Sequence, residues 1–205
     1  MKPFKWFNAD WGDLMARDMN TDDMVILLER LSRLVRAHEH ASDLNPAQWE
    51  ALRYLSRCNR FSNAPAALTR YLSATKGTIS QTLIALERKG LVSKAPRPGQ
   101  ARSVVLALTS HGEAKLRDDP WQQVSAMIEE SGSKTRKKLA AGSQKLVNHI
   151  IKSRGLPSFG SCETCRYFRE GGAPDDVKGK HWCLLFEEPV TKTEAGKICA
   201  SHDTA

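Results

Sequence analysis

A mainly α-helical fold with one small β-hairpin, followed by a short cysteine-bearing tail, is what this 205-residue sequence predicts. Three observations lead there. Apolar residues recur at helical spacing through most of the first 154 residues. Only two runs, LVSKAP and SVVLAL, have the Val- and Leu-rich look of strands, and the turn signal Pro98-Gly99 lies between them. Four of the five cysteines fall in the last 44 residues.

Composition narrows the class. An apolar share of 40% supports a real core. No run approaches the ~18 apolar residues of a membrane span. The N-terminus, MKPFKWFNADWGDLMARDMN, lacks the apolar stretch and cleavage site of a secretory signal, so a cytoplasmic location and no membrane partner are expected. The net charge of +8 is unevenly spread. Residues 155–205 hold six basic and eight acidic residues, which leaves +10 on residues 1–154. A basic body suits a polyanion, because each neutralised phosphate releases counterions; solubilising charge is the plainer alternative.

The elements follow in order. An aromatic N-terminal stretch (Phe4, Trp6, Phe7, Trp11) is expected to pack either locally or across a partner subunit. Thr21 with Asp22 and Asp23 marks a helix start, and Met24, Leu27, Leu28, Leu31, Leu34 and Val35 form its apolar stripe. Asn45, Pro46 and Gln48 make a capping box, with Leu44 and Trp49 placed as a hydrophobic staple. Cys58, at the end of that helix, is expected to be a buried core thiol. APAALTRYLS is a short helix. In SATKGTISQTLIALERKGLV, Ser73 or Thr75 caps a longer one. There Ile79, Leu83 and Leu86 face inward and Lys76, Thr78, Gln81, Thr82 and Ala85 outward, and Gly90 stops it. The hairpin tip is flanked by Arg97 and Arg102. Thr109 opens another helix, Pro120 interrupts it, and a basic helix over 133–154 turns Leu139, Leu146, Val147, Ile150 and Ile151 inward. Gly155, Pro157 and Gly160 make a linker. The division is therefore a body over 1–154 and a tail over 155–205.

A short helix followed by one with a polar outer face is a helix-turn-helix arrangement, whose second helix reads the major groove. An arginine-tipped hairpin behind it can reach the adjacent minor groove. The stretch from LNPAQWEALRYL through TISQTLIALERKGLV and the basic hairpin to LTSHGEAKL resembles the MarR family of winged helix-turn-helix regulators. That resemblance implies a homodimer built from the first and last helices, and a pseudo-palindromic double-stranded DNA operator. It carries Lys76, Thr78, Ser80, Gln81 and Thr82 over as recognition-helix contacts, with Lys76 and Ser80 on phosphates and Gln81 first in line for a base, and Arg97 and Arg102 as wing contacts. Two departures stand out. Gln100 replaces the acidic residue that relatives often place two before the wing arginine, and Pro120 falls where they continue one long helix.

The tail reads C-x2-C-x17-C-x15-C through Cys162, Cys165, Cys183 and Cys199. In a cytosolic chain such a cluster favours metal over disulfide, and thiolates suit zinc or an iron–sulfur cluster. A single C-x-x-C knuckle with two isolated cysteines favours the bulkier cluster, and Tyr167, Phe168, Trp182, Leu184 and Phe186 stand ready as an apolar shell. The tail resembles small [4Fe-4S] modules of high-potential type. His181 and His202 are minor candidates as ligands.

No constellation of an enzyme emerges: no glycine-rich phosphate loop and no serine in a nucleophile motif. The expected function is that of a homodimeric DNA-binding regulator, with affinity modulated by a redox- or gas-sensitive [4Fe-4S] cluster in the tail. Two alternatives stand beside it. One is a small-molecule-responsive regulator with a structural zinc tail. The other is an accessory or electron-transfer subunit that uses the winged domain for protein contact.

Overall fold

The computed structural model describes residues 19–40, 43–97, 99–172 and 181–204; of His40, Gln100, Ala101 and Arg102 it describes the backbone alone. The aromatic set Phe4, Trp6, Phe7 and Trp11, the turn residue Pro98 and the side chains of Gln100 and Arg102 lie outside that description.

Capping sets the helix starts. Helix α1 spans Thr21–His40, and Asn20 caps it by accepting from the Asp23 N–H at 2.9 Å, one residue before the expected Thr21. Helix α2 (Pro46–Arg57) has both halves of its capping box: Asn45 Oδ1 accepts from Gln48 N at 2.9 Å and Gln48 Oε1 from Asn45 N at 3.2 Å. Leu44 and Trp49 are both buried. Helix α3 (Pro65–Tyr71) starts on its proline, and α4 (Lys76–Arg88) on Thr75, whose hydroxyl accepts from Thr78 N at 3.1 Å. Gly90, at φ +69°, ends the α4 segment in the left-handed region that suits glycine.

Strands β1 (Val92–Arg97) and β2 (Gln100–Leu108) pair antiparallel from Val92–Leu108 to Pro96–Val104; the register then shifts so that Arg97 meets Gln100. Helix α5 (Ser110–Lys115) is capped by Thr109, which accepts from Gly112 N at 3.0 Å. Here the LT-x-x-G string has a tertiary cause. A Cβ on Gly112 would lie 2.1 Å from the Leu91 carbonyl oxygen, because α5 is pressed against the chain entering β1. Gly112→Ala is therefore expected to lower unfolding free energy by about 2 kcal/mol, the scale of an overpacked core, as read by chemical denaturation. An unchanged midpoint would mean that α5 is not seated this closely.

The helical run splits at Pro120 as its sequence implies. A single 3-10 turn (Leu116–Asp118) precedes α6 (Trp121–Glu130), and Gly132 at φ +83° separates α6 from α7 (Ser133–Ser153). The core joins Trp49, Leu52, Tyr54, Leu68, Ile79, Leu83, Leu86, Leu91 and Leu106 from α2, α3, α4 and the hairpin. Outside it, the apolar faces of α1 and α7 are open in the single chain: Leu34 is 58% and Leu146 56% exposed. The inward packing expected of Leu139, Leu146, Val147 and Ile150 does not occur within one chain, where all four are exposed.

A buried ion triad joins α1, α2 and the start of α6. Arg53 donates to Glu39 at 2.5 Å and to both carboxylate oxygens of Asp119 at 2.7 and 2.8 Å. Burial works against the guanidinium charge, and the hydrogen bonds to Asp119 and then Glu39 reverse it, so its pKa stands raised.

The tail is more ordered than the irregular appendage expected. Strands β3 (Phe168–Glu170), β4 (His181–Cys183) and β5 (Glu188–Val190) form an antiparallel sheet in that order. A four-residue helix, α8 (Lys192–Ala195), follows, with Thr191 and Glu194 as its capping box. The tail's own apolar core is small: Cys162, Val190 and Ala195, with Phe61, Phe168 and Cys183 against them.

Candidate nucleic-acid interface and four-cysteine centre

Helix α4 is held by Ile79, Leu83 and Leu86, all buried, so its opposite side faces solvent. Lys76, Gly77, Thr78, Ser80 and Gln81 are exposed on that side, and no acidic residue occupies its first turn. Thr82 differs from its expected outward position. It is 7% exposed and donates its hydroxyl to the Thr78 carbonyl at 2.9 Å, because the angle it shares with Ile79 and Leu86 points into the body. Ile84, 49% exposed, stands out instead.

The wing arginines part company. Arg97 is half-buried and folds back on the α2–α3 turn, donating to Asn63 Oδ1 at 3.3 Å and the Arg60 carbonyl at 3.5 Å. Arg102 has its backbone in β2, at the tip where the register shifts. Lys94 pairs with Glu87 of α4 at 2.8 Å, which ties the wing to that helix.

Cys162, Cys165, Cys183 and Cys199 are all free thiols. Cys162 sits in a one-turn 3-10 segment (Cys162–Thr164), where its carbonyl accepts from Cys165 N at 2.9 Å. That turn brings the two knuckle residues back to one side. Cys183 pairs with Phe168 across the sheet, and Cys199 donates its N–H to the Gly160 carbonyl at 2.9 Å. Burial first, and then the neighbouring thiols of Cys199, Cys183 and Cys165, push the Cys162 thiol up to about 12. All four sulfurs therefore share one neighbourhood. Among the described residues, however, no group of three or more His, Cys, Asp or Glu side chains is arranged to hold a metal ion. The donor set is all sulfur and gathered, but not closed around a single ion.

Other candidate groups are engaged structurally. Cys58 is buried, bonded to the Leu55 carbonyl, and pushed up to about 11 by burial, as befits a core thiol. His181 accepts from Gly171 N at 3.3 Å. His202 shares a hydrogen bond with Thr164 at 2.9 Å and lies under Gly160, where a Cβ would meet its ring at 2.7 Å.

The tail is seated on the turn between α2 and α3. Ile198 donates to the Arg57 carbonyl at 2.8 Å and accepts from Asn59 N at 2.9 Å; Ala200 N donates to Ser62 Oγ at 2.7 Å. Phe61 stacks on Phe186 with ring centres 4.3 Å apart. Arg60 donates to Glu188 at 2.9 Å, to the Pro189 carbonyl at 2.5 Å and to Glu194. Sequence reasoning missed Arg60, Phe61 and Asn63. The only local signal was the Ser62-Asn63 break, since their partners lie far along the chain.

With the geometry in place, the fold is that of a winged helix-turn-helix, and residues 42–103 are similar to the model described as the MarR family. The fold is similar to that of solved structures. A mutant of S. aureus MepR is 16% identical with a TM-score of 0.52, over 64% of this chain and 99% of that one. The S. aureus MepR–DNA complex is 17% identical with a TM-score of 0.50, over 64% and 99%. A MarR family transcription regulator is 20% identical with a TM-score of 0.51, over 65% and 89%. No curated protein matches the sequence. Among the described residues, no helix is long and apolar enough to cross a membrane.

Proposed function

We propose that the protein is a transcriptional regulator that binds a pseudo-palindromic DNA operator as a homodimer, with affinity governed by a metal centre, a [4Fe-4S] cluster, on its four-cysteine tail. The observation that carries the DNA-binding part is α4: three buried aliphatics fix it, and an exposed, acid-free row of Lys76, Thr78, Ser80 and Gln81 remains. A duplex groove is the surface such a row complements. Gly77 agrees with this. Among the described residues nothing crowds it beyond its own cap at 3.8 Å, so close approach of an outside backbone is a reason for glycine in a first turn. The MepR–DNA complex is a structure of the same fold with DNA bound. The homodimer is supported by the open apolar faces of α1 and α7, too extensive for a lone soluble chain.

The thiol set supports the cluster. Sulfur donors suit zinc and iron–sulfur chemistry alike, and a single C-x-x-C knuckle with two isolated cysteines favours the bulkier cluster. When bound, such a cluster supplies a charge and a stability that respond to oxygen, nitric oxide or electron supply. Cys162 and Cys165 would hold it from the knuckle, Cys183 from β4 and Cys199 from the segment after α8 that pairs with Gly160.

The test uses full-length protein prepared anaerobically. A duplex selected from a random library is expected to bind with a steep negative dependence on salt and a clear preference over scrambled sequence. Gln81→Ala is expected to relax preference at one base pair per half-site by ~1–3 kcal/mol. Salt-sensitive binding without sequence preference would reject the regulator. Iron and sulfide in equal amounts are expected; one zinc per chain would reject the cluster.

A further inference from the structure

We infer that Arg97 is a positioning residue that braces the wing, and that the cysteine tail sets this brace by clasping Arg60. The inference rests on the proposed DNA-binding role and names the route by which the tail acts on it. Three observations carry it. The α2–α3 turn is bound on its outer side by the tail: Arg60 is held by Glu188, Glu194 and the Pro189 carbonyl, and its guanidinium lies 4.4 Å over the Phe61 ring. Phe61 in turn stacks on Phe186 of the tail. On its inner side the same turn holds the wing. Asn63 accepts from Leu106 N of β2 at 2.7 Å through its carbonyl, and from Arg97 at 3.3 Å through its side chain, while the Arg60 carbonyl accepts from Arg97 at 3.5 Å.

Gln100 stands near the wing tip in place of an acidic brace. The Arg97 tie to residues 60 and 63 supplies the bracing from the body instead. A turn gripped on one side by the cysteine tail and on the other by the wing transmits the state of the first to the angle of the second. Apart from Gly155 and Leu156, which close the end of α7, the hydrogen bonds described between the tail and the helical body fall on residues 57–62 or on Arg70 of α3. A route from the tail to the wing therefore runs through the α2–α3 turn.

Hydrogen–deuterium exchange on peptides covering residues 92–108 tests this without DNA. In full-length, metal-loaded protein, Arg60→Ala and Arg97→Gln are each expected to speed hairpin exchange by about threefold or more, while peptides of α2 and α4 hold their rates. Footprinting on the selected duplex should then show flanking protection lost and central protection kept in both variants, with affinity down roughly tenfold. Unchanged hairpin exchange in Arg97→Gln, with weakened DNA binding, would make Arg97 a direct contact and overturn the inference. Faster exchange in Arg97→Gln but not in folded, metal-loaded Arg60→Ala would leave the tail out of the brace and overturn it too. Should Arg60→Ala fail to fold, Glu194→Gln, which removes one of its ion partners, takes its place. If wild-type protein shows no sequence-selective binding, the regulator reading fails, and the exchange arm still decides the brace.

Discussion

Arg53→Met is expected to lower the free energy of unfolding by about 3–5 kcal/mol, the cost of removing one partner from a buried charge network. The magnitude follows from what remains behind. Glu39 and Asp119 are both nearly inaccessible, and Arg53 satisfies the first through one nitrogen and the second through two. Methionine matches the stem of arginine in length, so loss of packing is small and the loss is one of charge and hydrogen bonds. Two buried carboxylates then lose the cation they share. The Trp121 N–H, which Asp119 also accepts at 3.0 Å, offsets only part of this. The triad also joins the winged body to α1, one of the helices with open apolar faces, so on the proposed homodimer a lower dimer affinity is expected alongside the lower stability. Urea denaturation at several protein concentrations reads both. A change below about 1 kcal/mol would mean that water reaches the triad and screens it.

Cys162→Ser is expected to unfold the tail while the helical body keeps its cooperative transition. The tail buries few apolar side chains of its own, too few to offset the ordering of some 40 residues. The proposed metal centre would supply what is missing; structural zinc sites in small peptides contribute about 10–16 kcal/mol. Cys162 is the most telling of the four, since it is both buried in that small core and surrounded by the other three thiols. Serine keeps the shape and removes the sulfur ligand. Metal content should fall at least tenfold by elemental analysis, and limited proteolysis should cut within 155–165 in the variant but not in metal-loaded wild type. A tail equally protected in both would show that its contacts with the α2–α3 turn suffice and that metal is not what folds it. Because those contacts include Ile198, Ala200 and the Arg60 clasp, the variant should also reproduce the faster wing exchange of Arg60→Ala.

Much of the scaffold is written locally. The Asn45–Gln48 box, the Thr75 and Thr109 caps and the Gly90 stop each act over three or four residues, so their spacing in the chain is their geometry in space. The split at Pro120 is of the same kind. The Cys162–Cys165 knuckle likewise needs only its own turn. Helix periodicity did less well at its margins: Thr82, expected outward, is buried, because α2, α3 and β1 packed around α4 bury a wider arc than the aliphatics alone mark out.

Sequence by itself therefore determined the order and limits of the helices, the hairpin and the gathering of sulfur in the tail, since capping, turn chemistry and ligand type are properties of neighbouring residues. Only tertiary structure decided that Arg97 folds back on Asn63, that Arg60 is gripped by Glu188 and Glu194, and that Gly112 must lack a side chain. Those contacts join residues 21 to 134 positions apart. Their formation depends on which surfaces the packed core leaves facing each other, and no local pattern encodes that.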